Sequence, residues 1–297
     1  MRALPVIALL WGCGGAPDGP DTDPPVEDTD AAADAAVCAR FAEVTAGLAE
    51  GPWSGDPATC DAGLAPQESV DGALAMIAYA RELAGLGPVA LDASNGPATQ
   101  GCALLMHAND TLSHDPPDTW DCYTPDAAGA AGQSLLAREP ALGAVLQYLV
   151  DFGNDTTLVH RRWLLNPGLD RVALGSTDAF SCLRLGSTVL SSSGWVAWPP
   201  PGRVPLGVLS ERNSSVDAEG WSLQSDSLDL AGATVTVTHD GVAHPQVVEP
   251  LQANQGSRFG LRFVPSGFAS EAGRYTVEVG GLAEPLVYDV VLVDCAP

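Results

Sequence analysis

Apolar residues at 70, 74, 77 and 80 or 84 recur at helical spacing, predicting an amphipathic helix over 69 to 84 with Ser69 as its cap and Gly85 as its stop. A second helix is predicted over 97 to 109, with Cys102, Leu105 and Met106 along one side. A third runs over 141 to 152, entered at Pro140 and striped by Leu142, Val145, Leu146 and Leu149. The stretch from His160 to Gly175 puts a histidine, two arginines and Trp163 onto one short apolar run. That run must stop at Asn166, because Pro167 has no amide hydrogen and pushes the residue before it out of helical backbone space. Alternating Val172 and Leu174 then predict a strand over 171 to 175, followed by strand-like segments over 179 to 185 and 195 to 198. Between these elements, 86 to 92 is too short and too rich in Pro and Gly for a helix and predicts a connector against the core. The small, Gly-containing residues 127 to 133 predict a loop.

Beyond Pro199, Pro200, Pro201 and Gly202 the pattern changes to period two. Residues 234 to 238 alternate Thr and Val before an Asp240-Gly241 hairpin signal, and 258 to 264, 274 to 279 and 286 to 293 repeat the alternation. His239 and His244 flank that hairpin and are predicted to lie on the surface. Helices first with interleaved strands predict an α/β sandwich over 38 to 198, and the later strands a small all-β sandwich over 199 to 297.

Composition narrows the function classes. The chain has 37 acidic residues against 13 Lys and Arg, a formal charge of −24, and such a surface repels a phosphate backbone. Nucleic acid is therefore excluded as a partner. At the N-terminus, Arg2 precedes an apolar run that is far too short to span a bilayer and has the form of an export signal over 1 to 13. Leu10, Trp11, Gly12 and Cys13 resemble a bacterial lipobox, in which Cys13 would carry the lipid and tie the chain to a membrane. Residues 14 to 37 hold acids and prolines but no base, which predicts an extended, disordered tether. Their spacing lacks the glycine and closing glutamate of a calcium-binding loop.

Six further cysteines, Cys38, Cys60, Cys102, Cys122, Cys182 and Cys295, form an even set without any Cys-x-x-Cys, which in an exported chain predicts disulfides rather than metal or redox chemistry. Nearest-neighbour pairing predicts 38 with 60 and 102 with 122, leaving 182 for 295.

The segment from Ala80 to Asp92, then Leu112-Ser113-His114, then His160 to Pro167 before a Val-Ala-Leu-Gly strand, resembles the bacterial branch of the CAP superfamily, the SCP or PR-1-like extracellular domain. The likeness covers about residues 65 to 198. It implies a three-layer α-β-α sandwich whose central cleft holds two histidines and two acids. By that resemblance His114 and His160 are the histidines. Gln133 stands in the family's Gly-Glu-Asn segment where an acid is expected, and Asp151, three residues after Tyr148, corresponds to the second acid. Two neutral imidazoles can hold a zinc-like divalent ion while a carboxylate activates its water. Gln133 cannot take a proton, although its carboxamide can still orient a histidine. Taken without the resemblance, Trp163, Leu164 and Leu165 are core and His160 is their packed neighbour. Ser113 and Ser134 lack the strand-turn-helix setting of a nucleophilic serine. The expectation is an exported, lipid-anchored binding or adhesion module for a lipid, glycan or protein ligand. The alternative is a metal-assisted hydrolase using His114, His160 and Asp151.

Overall fold

The computed structural model describes residues 29–186, 194–212 and 214–295, which form a mixed α/β structure. The first part contains α1 (Thr29–Thr45), α2 (Gln67–Leu83), β1 (Ala90–Leu91), α3 (Gly96–Ala108), α4 (Pro125–Ala131), β2 (Ser134–Ala137), α5 (Ala141–Val150), α6 (Val159–Leu164), β3 (Arg171–Ser176) and β4 (Ser181–Leu185). Its strands form one sheet in the order β1-β3-β4-β2, parallel at β1 and β3 and antiparallel elsewhere. Because strand side chains alternate, Leu135, Ala137 and Leu183 share a core with α2 and α5, whereas Leu136 and Cys182 fall in a second cluster with α3 and α4. Gly175 explains the end of the Val-Ala-Leu-Gly strand. A Cβ there would stand 2.2 Å from the carbonyl oxygen of Thr99, so only glycine lets α3 come this close. Gln100 locks the same contact, accepting from Ser176 N at 2.9 Å and donating to Ser176 O at 3.0 Å.

The second part contains β5 (Val196–Trp198), β6 (Gly202–Pro205), α7 (Val216–Glu219), β7 (Trp221–Ser225), β8 (Thr234–His239), β9 (Val242–Gln246), β10 (Glu249–Pro250), β11 (Phe259–Phe263), β12 (Gly273–Gly280) and β13 (Leu286–Val293). Two sheets result, ordered β10-β11-β7-β5 and β6-β13-β12-β8-β9. Rings join them: Trp221 of β7 meets Tyr275 of β12 edge-on at 5.7 Å, and Trp195 meets Tyr288 of β13 at 5.1 Å. One buried cluster runs without interruption from Tyr79 and Leu135 through Trp198 and Trp221 to Val290. The strand at 196 to 198, expected with the first sheet, pairs instead with β7. Proline cannot donate to a ladder, so the chain leaves one sheet at Pro199 and joins the other at β6, and the proline run is a crossover between sheets.

Several local expectations change. The tether expected over 14 to 37 is helical from Thr29 onward, because α1 lies along β6 and β13, where Asp30 and Asp34 pair with Arg203. Ser69 does not cap α2. The helix starts after Pro66, and the buried Ser69 hydroxyl accepts from Gly51 N at 3.0 Å. The loop expected over 127 to 133 is largely α4, where Thr124 accepts from Ala127 N at 3.1 Å and four alanines outweigh one glycine. His239 is not a surface group: its side chain is 10% exposed and stacks on Tyr275 at 4.2 Å, its antiparallel neighbour. His244 is half-buried beside Phe268.

The disulfides are Cys38–Cys295, Cys60–Cys122 and Cys102–Cys182, with Cα separations of 5.1, 5.1 and 6.2 Å. All three expected pairings are overturned. Sequence proximity does not determine spatial proximity: α3 packs on β4, which brings Cys102 to Cys182, and α1 on β13, which brings Cys38 to Cys295. Three disulfides place the folded chain in an oxidising compartment. Among the described residues no helix is long and apolar enough to cross a membrane. The export signal and Cys13 lie outside the described residues.

Three buried arginines join these elements, and among the described residues none has a carboxylate within hydrogen-bond reach of its guanidinium. Arg81 of α2 donates to the carbonyls of Gly87, Leu164, Asn166 and Leu169 at 2.7, 2.8, 2.9 and 3.2 Å. Arg161 donates to Leu149 O, Val150 O, Gly220 O and Ser222 Oγ at 2.6, 2.8, 2.8 and 3.0 Å. Arg162 donates to Thr157 O, Gln252 O, Ser257 O and Ser257 Oγ. Burial lowers all three guanidiniums to about 10, which leaves them charged at neutral pH. The charge is met by carbonyl dipoles aimed at it from two sides of the molecule.

Two outcomes are expected. Unreduced peptide mapping should recover Cys38 joined to Cys295, and the double Ala variant of that pair should lose about 2–5 kcal/mol in urea unfolding; a 182-to-295 peptide would contradict the pairing. Arg161→Met should cost about 1–3 kcal/mol for each buried carbonyl left without its donor, with the near- and far-UV signals falling in one transition. A loss below about 1 kcal/mol would contradict the role given to Arg161.

Candidate functional site

The site begins with α6. Asp151 ends α5 in left-handed backbone (φ 65°), Leu158 repeats that conformation at φ 43°, and the chain between them turns sharply enough to start a new helix at Val159. Asp151 is fully buried, and one carboxylate oxygen accepts from Arg161 N at 3.0 Å, taking up a free amide of the first turn of α6. Its other oxygen lies 3.0 Å from His160 Nδ1 and accepts from Asn154 Nδ2 at 2.8 Å. A carboxylate can only accept, so it favours a proton on Nδ1, which in the neutral ring leaves the lone pair on Nε2; Asn154 Nδ2, 3.2 Å from the same nitrogen, then donates to the carboxylate alone. Tyr148 packs on the same imidazole with ring centroids 5.1 Å apart.

His114 follows α3 at a bend just before Pro116. Its Nδ1 lies 3.0 Å from Ala131 O at the end of α4, a carbonyl that can only accept, so Nδ1 donates and the lone pair of the neutral ring falls on Nε2. His114 and His160 line one cleft of about 460 Å³ with Gln133, Leu135, Trp163 and Gln255, and an adjoining hollow of about 470 Å³ with Leu112, Asn154 and Gln255. The pair expected from sequence therefore meets in space.

The other two expected residues take different places. Gln133 is exposed and reaches the cleft wall, but its carboxamide is already used: Oε1 accepts from Arg184 at 3.0 Å and Nε2 donates to Gly129 O at 3.0 Å. Asp151 is behind His160 and does not line the cleft. No group of three or more His, Cys, Asp or Glu side chains among the described residues is arranged to hold a metal ion. The donor set does not fit a closed zinc site, which needs at least three protein ligands.

Gln255 had no signal as a cleft residue. It sits on the turn after Asn254 and before Gly256, both at positive φ, far from the helices that carry the histidines. A Cβ on Gly256 would stand 2.5 Å from the Arg162 carbonyl carbon, so the turn presses directly on α6. Arg162 holds Gln252 O at 2.7 Å and Ser257 O at 2.9 Å, and Asn166 holds Gly256 O at 2.5 Å. The Asn254 and Gly256 pair is a turn signal, but nothing local says where that turn lands.

No family model matches the chain, and comparison with curated proteins and with solved structures gave no match.

Asp151→Asn should release the fixed tautomer of His160: nitrogen-detected NMR should show Nδ1–H alone in the wild type and a mixture in the variant, with stability reduced by about 1–3 kcal/mol. An unchanged tautomer would mean that Asp151 does not orient the ring.

Proposed function

We propose that this chain is an exported envelope protein, anchored through a lipid on Cys13, that uses the cleft between His114 and His160 to bind a ligand without transforming it. On this reading the first part is a CAP-like α-β-α sandwich and the second an all-β sandwich packed against it. Its support is the division of β2 and β4 side chains between two helical clusters, and the ring contacts between the two later sheets. The observation that carries the functional reading is the lining of the cleft, which contains no carboxylate among the described residues: Asp151 is buried behind His160, and a glutamine stands at 133. General-base work in this cleft would fall to the two imidazoles alone, with no carboxylate among the described lining residues to share it. A membrane partner through the lipid, and a lipid, glycan or protein ligand in the cleft, are the interactions that this reading calls for.

A metal-assisted hydrolase is the second reading, favoured by one observation. Both histidines have Nδ1 tied and Nε2 free, the arrangement that metal-ligating histidines use. Calorimetric titration of zinc into the full chain separates the two. Binding without chemistry expects no one-to-one heat at micromolar zinc; such heat in the wild type, lost in the His114→Ala/His160→Ala variant, would reinstate the hydrolase.

A further inference from the structure

Three other cavities of this acidic chain each carry two or three carboxylates. The cavity around Trp120 has Asp118, Asp121 and Asp126, its neighbour has Asp110 and Asp121, and the one beside α1 has Asp30, Asp34 and Asp294. Among the described residues, the histidine cleft and its adjoining hollow are lined by no carboxylate and by no Lys or Arg. What they offer is unspent neutral hydrogen-bonding capacity beside apolar surface. His114 and His160 each present a free Nε2, and Trp163, Val159 and Leu185 supply the apolar wall. Gln255 lines both spaces, and its carboxamide has no hydrogen-bond partner among the described residues.

We infer that the C-terminal part completes this cleft through Gln255 and that the completed cleft takes an uncharged saccharide. A free carboxamide is both donor and acceptor, as a ring hydroxyl is, and the two imidazole nitrogens accept from hydroxyls. An aromatic face among such groups suits the apolar face of a sugar ring, whereas a charged ligand would lose its hydration with no counter-charge to replace it. Gln255 is held at a fixed height over α6 because Arg162 and Asn166 bind the carbonyls on either side of it. Preorganisation of this kind lowers the ordering cost of binding. The inference rests on the reading of the cleft as a binding site.

The test uses the full chain, with side-chain NMR signals of Gln255, His160 and the Trp163 indole as reporters. Three probes are compared: a neutral N-acetylglucosamine tetrasaccharide, an anionic galacturonic acid tetrasaccharide and lysophosphatidylcholine. The expected result is that the neutral sugar shifts all three signals and that Gln255→Ala weakens it at least tenfold, with an unchanged unfolding midpoint. Neutral binding that Gln255→Ala leaves unaltered would overturn the role of Gln255. Binding of the anionic sugar or the lipid in preference to the neutral sugar would overturn the ligand class while leaving the cleft a binding site. If no probe shifts His160 or Gln255, both the inference and the binding reading fall.

Discussion

The structure depends on main-chain carbonyls solvating buried guanidinium groups. Arg81, Arg161 and Arg162 are 1%, 1% and 0% exposed, and their donors go to carbonyl oxygens and serine hydroxyls instead of carboxylates. A buried ion without such partners would cost several kcal/mol, so the surrounding backbone must hold the shape that supplies them. Arg81 grips the turn at Leu164, Asn166 and Leu169 and so sets where α6 stops and β3 begins. Arg161 and Arg162 reach the other way, to Gly220, Ser222, Gln252 and Ser257. The six residues of α6 are thus the joint between the two parts of the chain.

That joint also builds the cleft. His160 precedes the two arginines in the same helix, so fixing their guanidiniums fixes its imidazole, and Asp151 completes the restraint from behind. The turn that carries Gln255 is fixed by the same Arg162. The restraint leaves little freedom to the walls of the cleft, which suits recognition. Among the described residues no carboxylate faces the imidazoles, so any proton transfer in the cleft would fall to His114 and His160 themselves. Hydrophobic packing contributes a continuous core, but it is the polar pins that set the registry between α6 and the C-terminal turn.

What could be read in the sequence divides along physical lines. The helices at 67 to 83, 96 to 108 and 141 to 150 and the alternating strands at 234 to 239 and 273 to 293 follow local periodicity, and they were legible to within a few residues. The stop before Pro167 was legible because proline geometry is local. The disulfides were not, since Cys38 and Cys295 meet only after α1 has packed on β13. The buried roles of Arg161 and Arg162 were hidden too: two adjacent arginines suggest a solvated face, and only tertiary carbonyls reverse that. His114 and His160 were identified through a resemblance in motif order, and the structure brings them to one cleft. Gln255 lay beyond any such argument, because nothing about an Asn-Gln-Gly turn says where it will land.

In this account α6 and the turn over 252 to 257 form one unit held by Arg162 and Asn166. Native-state hydrogen exchange measures this directly, because segments that open together share one opening free energy. The amides of 159 to 166 and those of 252 to 257 are expected to exchange with the same free energy and the same denaturant dependence. Exchange of 252 to 257 through an independent opening of low energy, with α6 still protected, would contradict it.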